Sequence, residues 1–150
     1  MNALKGEEVV SYISKTLRAR FSEEDIAKIY KNKPVQSMTT PCIFIHSVET
    51  SHDSDVGNYA WWTDIIDIRC HPSKLCTNVH SWARKIGPII CDCVSKVTIS
   101  GQPVKAKSIS WRVEDNVVHI TASYRYRVIA VSDYTGPVME ELIIDESVKA

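Results

Sequence analysis

Cysteine and histidine are the side chains of this 150-residue chain that could do chemistry, because thiolates and imidazoles bind zinc and act as nucleophiles. The chain contains five residues of each type. Cys76 and His80 are four residues apart, which would place both on one face of a helix. The other candidates for a shared zinc site flank this pair: Cys70, His71, Cys91 and Cys93. Their spacing matches no compact zinc motif, so the pattern favours buried thiols and a surface histidine, with zinc binding as the alternative.

Catalytic and nucleotide-binding motifs are missing from the sequence. A Cys–His nucleophile pair would need a third orienting group and an oxyanion-hole loop, and no spacing marks either of them. The five glycines form neither G-x-G-x-x-G nor G-x-x-x-x-G-K. The odd number of cysteines leaves at least one thiol unpaired, which argues against a disulfide framework. We therefore predict a protein without enzymatic activity and without a bound cofactor or metal.

The stretch "TASYRYRVIAVSD" alternates aromatic and basic residues. In a strand, Tyr124 and Tyr126 would point to one side and Arg125 and Arg127 to the other. The tyrosines share their side with aliphatic residues, so we expect them to fill the core rather than stack on nucleic-acid bases. The arginines then leave the core together. They could meet phosphate, the carboxylates of a partner chain, or water.

Charge is unevenly distributed along a chain whose formal net charge is zero. The segment 69–127 holds ten basic and three acidic residues, which gives +7, so the remainder carries −7. Separated charge allows copies to attract each other head to tail, although folding could also intermix these segments. The sequence pI of 6.9 lacks the positive excess of a free-standing nucleic-acid binder, and no recognised nucleic-acid-binding signature is present.

Hydrophobic periodicity predicts an alternation of helices and hairpins. The predicted elements are a helix over 3–21, a short strand over 26–30, strands over 42–49 and 58–70, a helical region over 72–97, and strands over 104–113 and 117–131. The polar stretch "TSHDSDVG" predicts the loop of a long hairpin, and "EDN" predicts a tight turn. Pro88 predicts a kink or a break near Lys85. The apolar patch Leu142–Ile144 lies in an acidic tail and indicates an arm that packs against another surface.

This order of elements predicts an α+β fold, with an antiparallel or mixed sheet packed against an N-terminal and a central helix. We expect one domain over residues 1–133 and a C-terminal arm over 134–150. Apolar residues on both faces of the strand over 58–70 predict a sheet covered on both sides, by helices or by another subunit. No apolar run is long enough to span a bilayer, and Glu7 and Glu8 stand where a signal peptide would be apolar. We therefore expect a soluble protein that is not exported by that route.

Two segments carry a resemblance to a known family. "PCIFI" is followed some twenty residues later by "DIIDIRCHP". In this pair and in its order of elements, the chain resembles tail terminator and tail-completion proteins of tailed phages and of phage-tail-like bacteriocins from Gram-positive bacteria. The resemblance implies a structural protein without an active site, which forms a hexameric ring that caps the tail tube and joins it to the neck, head or collar. Another neck or connector component is the alternative in the same class, and a zinc-dependent nucleic-acid-binding module the alternative outside it.

The resemblance also implies partners and a location. The partners would be further copies of the chain, the tail tube protein, neck or connector proteins, and the sheath protein if the tail contracts. DNA would pass through the lumen without specific binding, and no membrane would be involved. The protein would be assembled in the bacterial host cytoplasm and would reside in the virion tail or a phage-tail-like particle.

A ring of this kind needs a repeated head-to-tail contact, and three groups of residues are candidates for it. They are the basic residues Arg112, Arg125 and Arg127, the acidic residues Glu49, Asp53 and Asp55, and the apolar arm residues Leu142, Ile143 and Ile144.

Overall fold

The computed structural model describes residues 5–31, 38–54, 56–130 and 140–143. The elements in chain order are α1 (Lys5–Arg20), β1 (Lys28–Lys31), β2 (Cys42–Ser54), β3 (Tyr59–His71), α2 (Val79–Val94), β4 (Lys96–Ile99), β5 (Gln102–Glu114), β6 (Val117–Ala130) and β7 (Glu140–Ile143). The predicted α+β fold, with a mixed sheet and two helices, is confirmed. No helix in the described ranges is long and apolar enough to cross a membrane.

The strands form a single sheet in the order β1-β2-β3-β6-β5-β4. β1 runs parallel to β2, and the remaining neighbours are antiparallel. β5 pairs with β6 from Glu114 to Ala106, and its last pair is Ala106 with Tyr124. The register shifts just before this last pair, between Ser108 and Ala106. Beyond that point β7 pairs with β6, where Leu142 lies beside Val128. The sheet therefore places β3 and β6, its two longest-paired strands, at its centre.

Both helices lie on one face of this sheet. Val9, Ile13 and Leu17 are spaced three or four residues apart, and all are buried in one core cluster with side chains of β2, β3 and β6. The hydroxyl of Tyr124 on β6 donates a hydrogen bond to the Val94 carbonyl at the end of α2. We call the face of the sheet that α1 and α2 cover the inner face. We predicted that both faces of the sheet are covered, either by helices or by another subunit. Helices cover the inner face. The opposite face, which we call the outer face, is covered by neither described helix.

The hairpin between β2 and β3 is longer than predicted. The stretch "TSHDSDVG" was expected to be a loop, but β2 continues to Ser54 and pairs with β3 up to Ala60. Polar residues stay in this strand because their side chains find partners across it. The Thr50 hydroxyl donates to the Asp64 carboxylate at 2.8 Å, and the His52 ring stacks on Trp62 with centroids 4.9 Å apart.

The central helix begins later than predicted. Instead of starting near Pro72, α2 begins at Val79, because the Asn78 side chain accepts a hydrogen bond from the Ser81 N–H at 3.1 Å and caps the first turn. The Ser73 hydroxyl accepts from the Leu75 N–H in a local turn.

Of the kink or break predicted near Lys85, the break does not occur. The helix runs unbroken past Gly87 and Pro88 to Val94. Pro88 is exposed, so the carbonyl that loses its helical partner can be solvated. Gly87 is buried against Trp111 of β5. The strand β4 was not predicted, because four residues between a helix and a turn show little periodicity.

Candidate interaction surface

The outer face of the sheet carries three parallel columns of side chains near the β2–β3 hairpin. On β2, Glu49 and Asp53 form an acidic column. On β3, Tyr59 and Trp61 form an aromatic column, and on β6, Arg125 and Arg127 form a basic column. Asp53, Trp61 and Arg127 lie in one row across the three strands. Opposite charges are thus separated by an aromatic ridge.

The two arginines lie against the aromatic column. The guanidinium carbon of Arg125 is 4.3 Å from the Trp61 ring centroid. That of Arg127 is 3.9 Å from the Tyr59 centroid and 5.7 Å from that of Trp61. A cation over an aromatic face is attracted by the ring quadrupole, which restricts the side chain while its N–H groups can still donate. The prediction that both arginines leave the core is confirmed.

Arg112 lies on the same outer face, at the opposite end of the sheet. It sits beside His119 on β6 and forms an ion pair with Glu114, at 3.1 Å between Nε and Oε1. Both side chains are more than half exposed, so the pair adds little to stability and Arg112 can accept a second partner. The structure therefore separates Arg112 from Arg125 and Arg127, which the sequence had grouped with it.

A polar cluster between these two regions was not predicted as a site. Asp67 on β3 is nearly buried and lies 3.0 Å from Arg69 Nε and 3.9 Å from His46 Nε2. Nearby, burial, followed by the charges of Arg69 and His119, lowers the pKa of His71. The alternation in "DIIDIRCH" placed Asp67 and Arg69 on one strand face, but gave no indication that this face would bury Asp67.

Four of the predicted interface residues can be described only in part or not at all. Asp55 and Ile144 lie outside the described residues. Leu142 and Ile143 belong to β7, whose backbone pairs with Val128 and Arg127. The boundary at residue 133 also falls outside the described ranges, so the division into domain and arm stays a prediction.

The thiols do not form the arrangement that zinc binding would need. Cys76 precedes α2, so it does not share a helical face with His80 as the spacing suggested. Cys70 is in the core, where burial raises the pKa of its thiol, and burial likewise raises the pKa of Cys42 to about 11. Within the described ranges, no group of three or more histidine, cysteine, aspartate or glutamate residues is placed to hold a metal ion. The zinc hypothesis assumed that Cys76 and His80 share one helical face, and the structure contradicts that assumption.

The fold and its outer face define a class of protein: a small α+β domain whose clustered charged and aromatic side chains form a surface suited to protein contacts. The family follows from the sequence match. Residues 8–135 match the family of phage tail terminator proteins, and because the match covers most of the chain, the chain belongs to this family. A search of curated proteins finds no match. The family is one of structural tail proteins, so this chain has a structural role in phage tail assembly and belongs to the tail.

Proposed function

We propose that this protein ends tail growth by closing into a homo-oligomeric ring, hexameric in form, that caps the tail tube and joins it to the neck or collar. The observation that carries the proposal is the three-column outer face. Its acidic column on β2 and its basic column on β6 are held on one rigid sheet. A surface with both signs side by side attracts a second copy displaced sideways, and repetition of that contact around an axis closes a ring.

The arginines are the central residues of this contact. Their guanidinium groups are positioned by Trp61 and Tyr59, so less rotamer freedom is lost when a neighbour's carboxylates bind them. The carboxylates proposed as their partners are Glu49 and Asp53 of the adjacent copy, which are exposed. Asp55 and the segment 142–144 remain further candidates for the same contact.

The other partners follow from a ring placed at the end of a tail. One ring face would meet the tube protein and the other the neck or connector proteins, and in a contractile tail the rim would meet the sheath protein. DNA would pass through the lumen without sequence-specific binding. Assembly would take place in the cytoplasm of the bacterial host. The second candidate function is that of another neck or connector component, because an outer face with an acidic and a basic column would suit any component that forms a ring.

The test is a double charge reversal, Arg125→Glu with Arg127→Glu. Like charges opposed across an interface are strongly unfavourable, whereas reversing charges on a surface usually costs a fold little. Wild-type protein should give ring mass by light scattering and should cap purified tail tubes in electron micrographs. The variant should remain a folded monomer and leave tubes uncapped.

A matched control is Arg84→Glu with Lys85→Glu, which makes the same charge change on the exposed side of α2. This control should form rings and cap tubes as the wild type does. If the Arg125/Arg127 variant forms rings but particles lose DNA, the arginines face the lumen. If the wild type forms no ring even with tubes present, the proposed function is wrong.

A further inference from the structure

Two long stretches of sheet edge have no partner strand among the described residues. β1 covers β2 only from Cys42 to Ile45, which leaves His46–Ser54 open. On the other side of the sheet, β4 covers β5 only from Gln102 to Lys105, which leaves Lys107–Glu114 open. Open edges expose unpaired backbone N–H and C=O groups and are templates for pairing with another chain. The two open stretches have nearly the same length.

Their directions allow them to pair with each other across two copies. Three successive antiparallel steps, β2 to β3, β3 to β6 and β6 to β5, separate the two edge strands. β2 and β5 therefore run in opposite directions within one subunit. A second copy placed beside the first in the same orientation brings its β5 antiparallel to β2, so the sheet continues without inverting the subunit.

The charges of the two edges are complementary. The open stretch of β2 carries Glu49 and Asp53 and no lysine or arginine. The open stretch of β5 carries Lys107 and Arg112, with Glu114 at its end. Two copies of β2 side by side would oppose acids, and two copies of β5 would oppose bases. Pairing between unlike edges is therefore favoured over a two-fold contact between like edges.

One pairing register between β2 of one copy and β5 of the next aligns the two open stretches over their length, matches inward-facing with inward-facing residues, and opposes unlike charges. It places Trp111 opposite Thr50, the centres of the two open stretches. Both side chains belong to the inner face, since Trp111 contacts Gly87 of α2 and Thr50 bonds Asp64. The next outward-facing pair is then Arg112 opposite Glu49. In an antiparallel pair such directly opposed residues have Cα atoms about 4.5–5.5 Å apart, which suits an ion pair.

This register also staggers neighbouring subunits. Trp111 lies in the row of Ile68 on β3, whereas Thr50 lies in the row of Asp64. These rows are four residues apart on β3, roughly 13 Å at the usual rise of a strand. A sheet that closes on itself requires such a stagger, because its strands must tilt relative to the axis. Flat, unstaggered extension would instead produce an open ribbon.

From these observations we infer that the open edge of β2 receives β5 of a second copy, so that neighbouring subunits share one continuous antiparallel sheet with Arg112 opposite Glu49. The inference rests on the proposed ring and specifies how it closes. It assigns Arg112, rather than Arg125 or Arg127, as the partner of Glu49. Asp53 of the neighbouring copy then lies opposite Ser108, the residue beside Ser123 on β6, and stays the candidate partner of Arg125.

The test is a disulfide between subunits, using Glu49→Cys with Arg112→Cys. Within one chain β2 and β5 are three strand spacings apart, about 14 Å, which is too far for a disulfide between these positions. Oxidation of the double variant should therefore give a ladder of covalent multimers on a non-reducing gel. Mixing the two single variants should give only covalent dimers, because each subunit then carries a single engineered cysteine and can form a single bond.

The matched control is Asp53→Cys with Arg112→Cys, which moves the β2 cysteine four residues along the same exposed face. It should give no ladder, and the wild type oxidised in parallel measures any background from the native cysteines. Cross-linking of Glu49→Cys alone, equal cross-linking by the control pair, or rings without a 49–112 bond would overturn the inference. Ring formation by the wild type, measured separately by light scattering, tells this failure apart from failure of the ring itself.

Discussion

Asp64 is a carboxylate that the sheet encloses completely. It lies on the inner face of β3 between Thr50 on β2 and Tyr124 on β6, with none of its surface exposed. Its two oxygens accept hydrogen bonds from the Tyr126 hydroxyl at 2.7 Å and the Thr50 hydroxyl at 2.8 Å. Burial of a carboxylate is tolerated only when such bonds compensate for lost water. Because Thr50 follows the register shift between Ser47 and Glu49, this bond also holds the far half of β2 in register.

Replacement of Asp64 by alanine should therefore destabilise the fold. The change leaves the Tyr126 and Thr50 hydroxyls without their acceptor and opens space beside them, so the free energy of unfolding should fall by about 1–3 kcal/mol. Urea denaturation followed by tryptophan fluorescence measures this loss. Asp53→Ala, which removes an exposed carboxylate from the neighbouring strand, should unfold close to the wild-type midpoint. Equal midpoints for all three proteins would show that the buried network contributes nothing.

His71 makes stability depend on pH. Burial, helped by the nearby charges of Arg69 and His119, lowers the pKa of His71 below its ordinary value of about 6.5. The unfolded chain therefore binds this proton more tightly than the folded protein does. The free energy of unfolding is accordingly undiminished above that ordinary pKa and decreases as pH falls through it.

Substitution of His71 by glutamine should reduce this pH dependence. Between pH 8 and pH 5.5 the wild type should lose more stability than His71→Gln, as measured by urea midpoints at each pH. His80→Gln serves as the control for removing an imidazole from an exposed site on α2. A His71→Gln profile as steep as that of the wild type would contradict the assignment.

At the scale of elements, α2 tolerates two residues that usually weaken a helix. Gly87 allows Trp111 of β5 to approach, since a Cβ at this position would be 3.2 Å from the indole ring. Pro88 follows on the solvent side, where no packing requirement explains it. Gly87 therefore has a structural reason to be present, and nothing in the structure explains Pro88.

Pro88→Ala should consequently stabilise the protein. Alanine restores a backbone N–H to the helix and removes the ring clash, and an interior proline costs a helix about 3 kcal/mol relative to alanine. Because the native helix has already accommodated the ring, we expect a gain of about 1–3 kcal/mol in the free energy of unfolding. Thermal and urea denaturation would measure it. Lys85→Ala, at another exposed position of α2, should change stability little, and a destabilised Pro88→Ala would show that the proline has a packing role.

At the scale of the whole molecule, charge is arranged by the sheet rather than by chain order alone. The acidic residues Glu49 and Asp53 come from the acidic part of the sequence, and Arg125 and Arg127 from the basic part. The sheet brings them to one face with only the aromatic column between. Folding therefore neither mixes the charges completely nor moves them to opposite sides of the subunit.

Ring assembly by such a face should weaken with salt. Raising sodium chloride from about 0.05 to 0.5 M shortens the screening length severalfold, so the concentration at which half the protein is assembled should rise. Light scattering over a dilution series would measure that concentration. The neutral variant Arg125→Gln with Arg127→Gln should show a shallower salt dependence, while Arg84→Gln with Lys85→Gln should keep the wild-type slope. Assembly that is indifferent to salt would assign the contact to apolar and backbone interactions instead.

Local patterns in the sequence predicted much of this protein correctly. The alternation around Tyr124 and Arg125 predicted which side chains are buried and which leave the core, because successive residues of a strand point to opposite faces. The helical spacing of Val9, Ile13 and Leu17 predicted α1 for a similarly local reason. The tight turn at "EDN" was also predicted correctly, and in the structure Asp115 and Asn116 have the positive φ angles that such a turn requires.

Several of the errors and omissions depend instead on contacts between different elements, whereas the late start of α2 depends on the local cap at Asn78. The strand continues through "TSH" because Thr50 reaches Asp64 on β3, and α2 continues past Gly87 beside Trp111 of β5. Within the described ranges, the order of strands leaves part of one edge of β2 and part of one edge of β5 without a partner strand, and this order is likewise absent from any local pattern. Hydrogen bonds and burial between residues far apart in sequence decide these features. The three-column face therefore emerges only when β2, β3 and β6 lie side by side.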